Sequence, residues 1–174
     1  MEKWNQKIEP ILSSDEVPIH PARVLKALQK EIPDEAMISI DAGDNSWWFG
    51  KYFRMSRQKF ILSGYLATMA FGFAGALGAA FAYPSIKSIA LTGDGAFSMV
   101  MADFTTAVKY HLPVVAIVYD NSELSMITHE QALEGFPKYA TELINPNFAD
   151  FAESCGGDGY DVRRPGELES VLDQ

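Results

Sequence analysis

The residues best suited to chemistry lie in two loops, each following a predicted strand. Gly93-Asp94-Gly95 follows the apolar run Ser88–Thr92 and precedes a predicted helix, and Asn121 follows the apolar run Val114–Tyr119. A carboxylate that faces a pyrophosphate is repelled by it unless a divalent cation lies between the two groups. Asp94 between two glycines therefore suggests a site for Mg²⁺ and a diphosphate.

The spacing of Asp94 and Asn121 supports the same site. A helix and a strand fit between them, which would place both side chains at the carboxyl edge of one parallel sheet. Magnesium prefers octahedral oxygen ligands and shares them with phosphates and water, so Asp94, Asn121 and one backbone carbonyl would leave room for a diphosphate. The alternative is a tight turn at Gly93–Gly95 and a helix cap at Asp120-Asn121. Ser98 stands where a dinucleotide fingerprint needs its third glycine.

The elements that must position these loops alternate along the chain. Apolar runs predict strands at 37–41, 88–92, 114–119 and 159–163. Helices are predicted at 21–32, 99–110, 148–155 and from residue 165 onwards. Residues 1–17 are polar and are interpreted as a linker or the tail of a preceding domain. The pattern predicts an α/β fold over 18–174, with a doubly wound, mostly parallel sheet and helices on both faces.

The uncharged segment Leu66–Tyr83 has two interpretations. Its length suits a membrane span. Its many alanines and glycines contribute little transfer energy, however, and small residues let another element approach closely. We therefore expect a buried, tightly packed helix and no membrane span.

Composition bounds the class of protein. The chain has 174 residues, 48% of them hydrophobic, which suits one domain with a proper core. Its net charge of -9 would repel a phosphate backbone, so we expect no nucleic acid partner. A single cysteine, Cys155, and an N-terminus without a secretory pattern indicate a cytoplasmic protein. Peripheral association with a membrane surface stays an alternative.

The motifs resemble those of a known family. Gly93-Asp94-Gly95-Ala96-Phe97-Ser98, followed by Asp120-Asn121-Ser122, resembles the cofactor motif of thiamine diphosphate enzymes. From Ile19-His20-Pro21 to the last predicted helix, the chain is similar to the pyruvate oxidase and acetolactate synthase family. The similarity is closest to the pyruvate oxidase and quinone-dependent pyruvate dehydrogenase branch. The resemblance implies the C-terminal, diphosphate-side domain of a longer enzyme that decarboxylates a 2-oxo acid, with pyruvate the expected substrate.

The resemblance also implies roles for individual residues. The Mg²⁺ ligands would be Asp94, the Asn121 side chain and the Glu123 carbonyl. Residues expected to contact thiamine diphosphate are Gly43, Asp44, Asn45, Ala67, Thr68, Met69, Gly93, Asp94, Gly95, Ala96, Asn121, Glu123, Leu124, Ser125 and Met126. Met69 would be the apolar wedge that bends the cofactor, and Glu130 would sit near the substrate. These two are the candidate catalytic residues.

Three residues depart from the family pattern. Asp120 stands in place of the first asparagine of the pair, Ser125 stands where glycine is usual, and Asp44 replaces a neutral amide. None of the three removes a metal ligand. Each is expected to weaken cofactor binding, Asp44 most of all, because its charge opposes the diphosphate unless it turns away or bonds backbone N–H groups.

The family's architecture implies partners that this chain lacks. The glutamate that activates the aminopyrimidine comes from the N-terminal domain of a partner subunit, so we expect a homodimer or homotetramer. The isolated chain is then expected to have no turnover. A middle domain, absent here, would hold any FAD. The alternatives are an acetolactate synthase-like carboligase, a non-catalytic thiamine diphosphate-fold binding module, and a Rossmann-type nicotinamide or flavin domain.

Overall fold

The computed structural model describes residues 2–174, and its centre is a four-stranded sheet in the order β2-β1-β3-β4. Its strands are β1 (Met37–Ile40), β2 (Lys59–Leu62), β3 (Ser88–Gly93) and β4 (Val114–Tyr119). Every pairing is parallel. The carboxyl ends of β1, β3 and β4 therefore meet at one edge of the sheet, and the predicted α/β class is confirmed.

Helices surround this sheet. They are α1 (Glu2–Leu12), α2 (Pro21–Glu31), α3 (Asp44–Tyr52), α4 (Phe71–Ala82), α5 (Asp94–Val100), α6 (Phe104–Lys109), α7 (Ser125–Leu133), α8 (Phe148–Ser154) and α9 (Leu168–Leu172). Short 3-10 turns cover Met101–Asp103 and Pro165–Glu167. The first turn divides the helix predicted over 99–110 into α5 and α6.

Two hydrophobic cores cover the two faces of the sheet. Ile89 and Leu91 of β3 belong to the core formed with α2 and α3, whereas Ala90 belongs to the core formed with α4, α5 and α6. Successive side chains of a strand point to opposite faces, so a strand covered on both sides must be apolar throughout. In the second core, Phe73 is fully buried and meets Phe97 edge-on, with ring centroids 5.2 Å apart.

The segment predicted as a linker is helical over Glu2–Leu12, and Met1 lies outside the described residues. Ile8 is buried in the first core, and the Lys26 ammonium lies 2.6 Å from the Glu9 carboxylate. Trp4, Ile8 and Ile11 form an apolar stripe at helical spacing, which the polar composition of the segment obscured. A domain boundary between residues 17 and 18 stays a prediction.

The strand predicted over Gly159–Arg163 is wrong, because this segment is irregular. A side chain on Gly159 would overlap the carbonyl of Ala149, so the segment is packed against α8. The N–H groups of Arg163 and Arg164 each lie 3.0 Å from the Glu167 carboxylate, to which they donate. These backbone groups are thus satisfied locally instead of in a sheet.

The buried helix predicted over Leu66–Tyr83 is wrong at its start, because only Phe71–Ala82 is helical and Leu66, Ala67 and Thr68 are exposed in the segment before it. Close packing of α4 on the sheet explains the small residues within the helix. A Cβ on Gly72 would lie 2.7 Å from Oδ2 of Asp41, and a Cβ on Gly75 would overlap the Ser39 hydroxyl. These two glycines let α4 lie directly on β1. Across residues 2–174 every helix is too short or too polar to span a bilayer.

Candidate functional site

Asp94 lies at the centre of the candidate site, at the point where β3 ends and α5 begins. Its carboxylate is buried, and Oδ1 accepts a hydrogen bond of 2.8 Å from the Gly95 N–H. Oδ2 accepts bonds from the Ser122 N–H at 2.8 Å and from the Asn145 amide at 2.7 Å. Ser122 follows the neighbouring strand β4, so the parallel sheet brings the two predicted loops into direct contact.

The surroundings of Asp94 oppose its ionisation. Burial raises the pKa of the Asp94 carboxyl, and the negative charge of Asp120 acts in the same direction. Hydrogen bonds from Asn145, Gly95 and Ser122 lower that pKa, but burial outweighs them. A cation beside the carboxylate would favour its ionised form. A cation at this position would therefore compete with a proton for the Asp94 carboxylate.

Asn145 is a site residue that the sequence analysis missed. Its Nδ2 lies 2.7 Å from Asp94 and 2.8 Å from Oδ1 of Asp120, so one amide bridges both carboxylates. Asp120 also accepts bonds from the N–H and the hydroxyl of Ser122. The extra negative charge at Asp120 is thereby paired with hydrogen-bond donors. The only local signal for Asn145 is the Asn-Pro dipeptide, which indicates a turn and no chemistry.

The loop after β4 carries the other two predicted metal ligands. Asn121 is exposed, and its Oδ1 accepts a bond of 3.1 Å from the Glu123 N–H. The Glu123 carboxylate accepts a bond from the Thr128 hydroxyl and lies 3.0 Å from the Lys138 ammonium. Both partners lower the pKa of Glu123. The side chain of Glu123 is thus engaged elsewhere, which leaves its carbonyl for the predicted role.

The loop 43–45 begins α3 at the same edge of the sheet. Gly43 has a φ of 125°, a conformation that side-chain-bearing residues rarely adopt. Asn45 is buried, and its amide donates to the carbonyls of Asp41 and Leu91 at 3.1 and 3.0 Å. Asn45 therefore ties the start of α3 to the ends of β1 and β3. Asp44, one residue earlier, accepts a bond from the Ser125 hydroxyl.

The segment 67–69, which lies just before α4, approaches Gly95. A Cβ on Gly95 would lie 3.5 Å from Cε of Met69 and 3.1 Å from Cδ2 of Leu124. Three predicted cofactor residues therefore converge, and the missing side chain of Gly95 provides the space between them. Ala67 and Ala70 have φ values of 50° and 71°, which cost free energy and persist only where the surrounding structure imposes them.

Other predicted residues lie at different depths around this edge. Ala96 is buried, whereas Gly93 and Met126 are half-buried and Thr68 is exposed. Glu130 is exposed on α7, and within residues 2–174 no hydrogen bond joins its carboxylate to Asp94. The structure thus brings the loop after β4 against Asp94, and Met69 and Leu124 against Gly95, while Glu130 shares no hydrogen bond with Asp94.

A second buried carboxylate was also missed. Asp41 follows β1, is fully buried and accepts a bond from the Thr92 hydroxyl. Burial raises the pKa of Asp41, and the bond from Thr92 only partly offsets this. Asp41 contacts the first turn of α4 at Gly72. Its position links β1, β3 and α4 beneath the site.

The oxygen atoms of the three predicted ligands suit a magnesium ion. The Asp94 carboxylate, the Asn121 amide oxygen and the Glu123 carbonyl are hard oxygen ligands of the kind that Mg²⁺ prefers. The Ser122 N–H bond to Asp94 places the loop that carries both other groups against the carboxylate. Within residues 2–174 there is no cluster of three His, Cys, Asp or Glu residues suited to a metal. A metal here would therefore use the amide and carbonyl oxygens.

The fold and the site together define a cofactor-binding domain of the doubly wound α/β class, with its site at the carboxyl edge of a parallel sheet. The sequence model of one family matches residues 41–174. The chain belongs to that family, the C-terminal TPP-binding domain of thiamine pyrophosphate enzymes. It is a thiamine pyrophosphate-binding domain of such enzymes.

Several curated relatives support this assignment. A putative thiamine pyrophosphate-containing protein, YdaP of Bacillus subtilis, is 41% identical over 97% of this chain and 29% of its own length. A probable acetolactate synthase large subunit of Methanococcus aeolicus is 34% identical over 94% of the chain and 28% of its own length. A pyruvate oxidase of Lactiplantibacillus plantarum is 29% identical over 100% of the chain and 29% of its own length. The chain thus spans less than a third of these relatives.

Proposed function

We propose that this domain holds the diphosphate of thiamine diphosphate through Mg²⁺, with Asp94, the Asn121 side chain and the Glu123 carbonyl as ligands. The observation that carries this proposal is the hydrogen bond of 2.8 Å from the Ser122 N–H to the buried Asp94 carboxylate. Ser122 stands between Asn121 and Glu123, so this contact supports the proposal by holding the loop that carries both residues against Asp94.

The remaining contacts to the cofactor come from four segments. They are Gly43-Asp44-Asn45, Ala67-Thr68-Met69, Gly93 with Gly95-Ala96, and Leu124-Ser125-Met126. The convergence of Met69 and Leu124 on Gly95 supports this arrangement. In it, Met69 is the apolar surface against which the cofactor bends. Asn45 acts through the main chain, since its amide is occupied by Asp41 and Leu91.

The parent enzyme, in this proposal, decarboxylates a 2-oxo acid, and pyruvate is the substrate that we favour. When bound, thiamine diphosphate supplies a nucleophilic carbon and a sink for the electron pair that departing carbon dioxide leaves. The residues of this chain bind and orient the cofactor, and Glu130 faces the substrate. The name of the pyruvate oxidase relative supports this choice.

The domain is only part of the machinery. The curated relatives are about three times as long, and Asn121, Thr68 and Glu130 are exposed here. We propose that another domain, from the same or a partner subunit, covers these residues in a homodimer or homotetramer. It would supply the glutamate that activates the aminopyrimidine, and any FAD would lie on a further domain. The isolated chain should then release no carbon dioxide from pyruvate.

An acetolactate synthase is the second candidate, and the acetolactate synthases among the relatives favour it. The two candidates differ in the acceptor of the two-carbon unit. The full-length chain, given pyruvate, thiamine diphosphate and Mg²⁺, should release carbon dioxide in both cases. Acetolactate as the main product would identify the carboligase, and release that depends on an added electron acceptor would identify the oxidase. No release under either condition would leave a non-catalytic binding module.

The binding proposal is tested by calorimetric titration of the full-length chain with thiamine diphosphate, with and without Mg²⁺. We expect saturable binding that requires Mg²⁺ and is lost in Asp94→Ala, while the exposed Asp150→Ala retains it. A hundredfold excess of cofactor over its Kd should stabilise the fold by roughly 2.7 kcal/mol. Binding that ignores Mg²⁺ and survives Asp94→Ala would contradict the proposal and favour a Rossmann-type domain.

A further inference from the structure

Two of the residues that depart from the family pattern contact each other. The hydroxyl of Ser125 donates a hydrogen bond to the Asp44 carboxylate, although 81 positions separate the two in the sequence. Asp44 is the first residue of α3, and Ser125 is the first residue of α7. Both are half-buried. Hydrogen bonds to an ionised acceptor are stronger than neutral ones, so this contact can hold two helix ends together.

The two helices differ in how firmly the rest of the fold holds them. The start of α3 is anchored, because Asn45 donates to carbonyls at the ends of β1 and β3 and Phe49 is buried in the first core. By contrast, α7 contains no buried residue. Packing of an apolar face normally supplies most of a helix's stability in a protein, and α7 buries no such face within this domain. Within the domain its position therefore depends on polar contacts.

Few polar contacts hold α7 in place. The Thr128 hydroxyl contacts Glu123 and lies 2.8 Å from the Thr141 hydroxyl, and Gln131 pairs with the main chain of Tyr139. These partners all lie in the loops that flank α7. The Ser125 bond to Asp44 differs from them, because it joins α7 to a helix that is anchored on the sheet.

We propose that the Ser125–Asp44 hydrogen bond positions the start of α7 at the cofactor site, with Ser125 and Asp44 acting as positioning residues. This inference rests on the proposed function, in which Met126 and Glu130 are carried by α7. The bond also gives the half-buried Asp44 carboxylate a hydrogen-bond donor. Asp44 and Ser125, which both depart from the family pattern, are thus the two partners of one hydrogen bond.

The test combines amide hydrogen exchange with cofactor titration on the full-length chain. Ser125→Ala removes the donor without changing the charge of Asp44. We expect amides of α7 to exchange about tenfold faster in the cofactor-free chain, and thiamine diphosphate with Mg²⁺ to bind about tenfold more weakly. Asp44→Ala, alone or with Ser125→Ala, should speed exchange in α7 by the same factor, because either change breaks the same bond.

Matched controls separate positioning from general stability. Ser154→Ala removes a hydroxyl that bonds within α8, and Asp150→Asn removes an exposed charge, so neither should alter exchange in α7. Asp44→Asn keeps an acceptor oxygen and should speed exchange less than Asp44→Ala does. If the acceleration of exchange in the double variant equalled the product of the two single-variant accelerations, the two residues would act independently, and the inference would be overturned. A Ser125→Ala chain that has faster exchange in α7 but unchanged cofactor affinity would also overturn it.

Failure of the proposed function gives a different result. An unmodified full-length chain that binds no thiamine diphosphate would refute the cofactor role itself, and the positioning role with it. Normal binding by the unmodified chain, lost in Asp94→Ala but unchanged in Ser125→Ala, would refute the positioning role alone.

Discussion

Asn145 donates a hydrogen bond of 2.7 Å to the buried carboxylate of Asp94, across 51 positions of the sequence. The same nitrogen lies 2.8 Å from Asp120, so the amide holds together two carboxylates that would otherwise repel each other. The loop that carries Asn145 is therefore part of the site that we propose for Mg²⁺. Its role is to orient the acidic groups and to offset their repulsion.

Loss of this bridge should weaken metal-dependent cofactor binding. In the full-length chain, Asn145→Ala should raise the Kd for thiamine diphosphate in the presence of Mg²⁺ by about ten- to a hundredfold, the range typical of groups that orient metal ligands. Asn145→Asp should be worse, because it replaces the donor with a third carboxylate. Calorimetric titration measures both. A Kd within twofold of the parent value for both variants would refute this role for Asn145.

Glu130 is expected to affect the reaction without affecting cofactor binding. Glu130→Gln in the full-length chain should lower kcat with pyruvate by about tenfold or more, because it removes the acid–base group that we propose near the substrate. The Kd for thiamine diphosphate should not change, since Glu130 makes no hydrogen bond to Asp94 or to the residues bonded to Asp94. Glu134→Gln, just beyond the end of α7, is the matched control. Equal loss of activity in both variants would contradict a specific role.

The glycines of α4 should differ sharply in their tolerance of a methyl group. A Cβ on Gly72 would lie 2.7 Å from Asp41 Oδ2 and 3.0 Å from its main-chain nitrogen, whereas Gly78 has open space. Gly72→Ala should therefore lower the free energy of unfolding by about 1–3 kcal/mol. Gly78→Ala should raise it by up to about 1 kcal/mol through helix propensity. Urea denaturation measures both, and equal effects would contradict the close packing of α4 on β1.

His20 should make stability depend on pH. Its Nδ1 accepts the Ala22 N–H at 3.1 Å and so caps α2, and burial lowers the pKa of His20. Lys51 lowers this pKa further, whereas Glu16 raises it. A histidine with a lowered pKa binds fewer protons in the folded state than in the unfolded state. The free energy of unfolding therefore falls as pH drops below the unfolded value of about 6.5.

Substitution of His20 tests this dependence. His20→Asn keeps a capping acceptor that does not titrate in this range, so it should flatten the loss of stability between about pH 7 and pH 5. Ser154→Ala, which changes no titratable group, is the control and should keep the parent slope. Thermal or urea unfolding across this range measures the effect. An unchanged slope in His20→Asn would show that other groups cause the dependence.

The apolar runs of the sequence were sufficient to predict strands β1, β3 and β4. They also predicted the contact between the loops that carry Asp94 and Asn121. Strands β1 and β3 are buried and mostly apolar because helices cover both of their faces, whereas β4 is an apolar edge strand that is only partly buried. Parallel strands end at the same edge, so Asp94 and the loop with Asn121 had to meet there once those strands were identified. The resemblance to thiamine diphosphate enzymes rested on these same loops.

Elements with little apolar surface could not be predicted in this way. Helix α7 has no buried residue, and β2 is an edge strand with mostly exposed side chains, so neither carries a hydrophobic period. The mistaken strand at Gly159–Arg163 is the opposite case. Its residues suit a strand, but its backbone is satisfied by Glu167 and by packing on α8.

The sequence by itself determined the fold class, the family and the position of the Asp94 loop, because local periodicity and short motifs encode them. Tertiary structure alone decided which distant polar groups meet: Asn145 with Asp94, and Ser125 with Asp44. Such contacts join residues far apart in the chain and leave no periodic signal. They depend on distances set by the packing of helices on the sheet, and those distances exist only after the chain has folded.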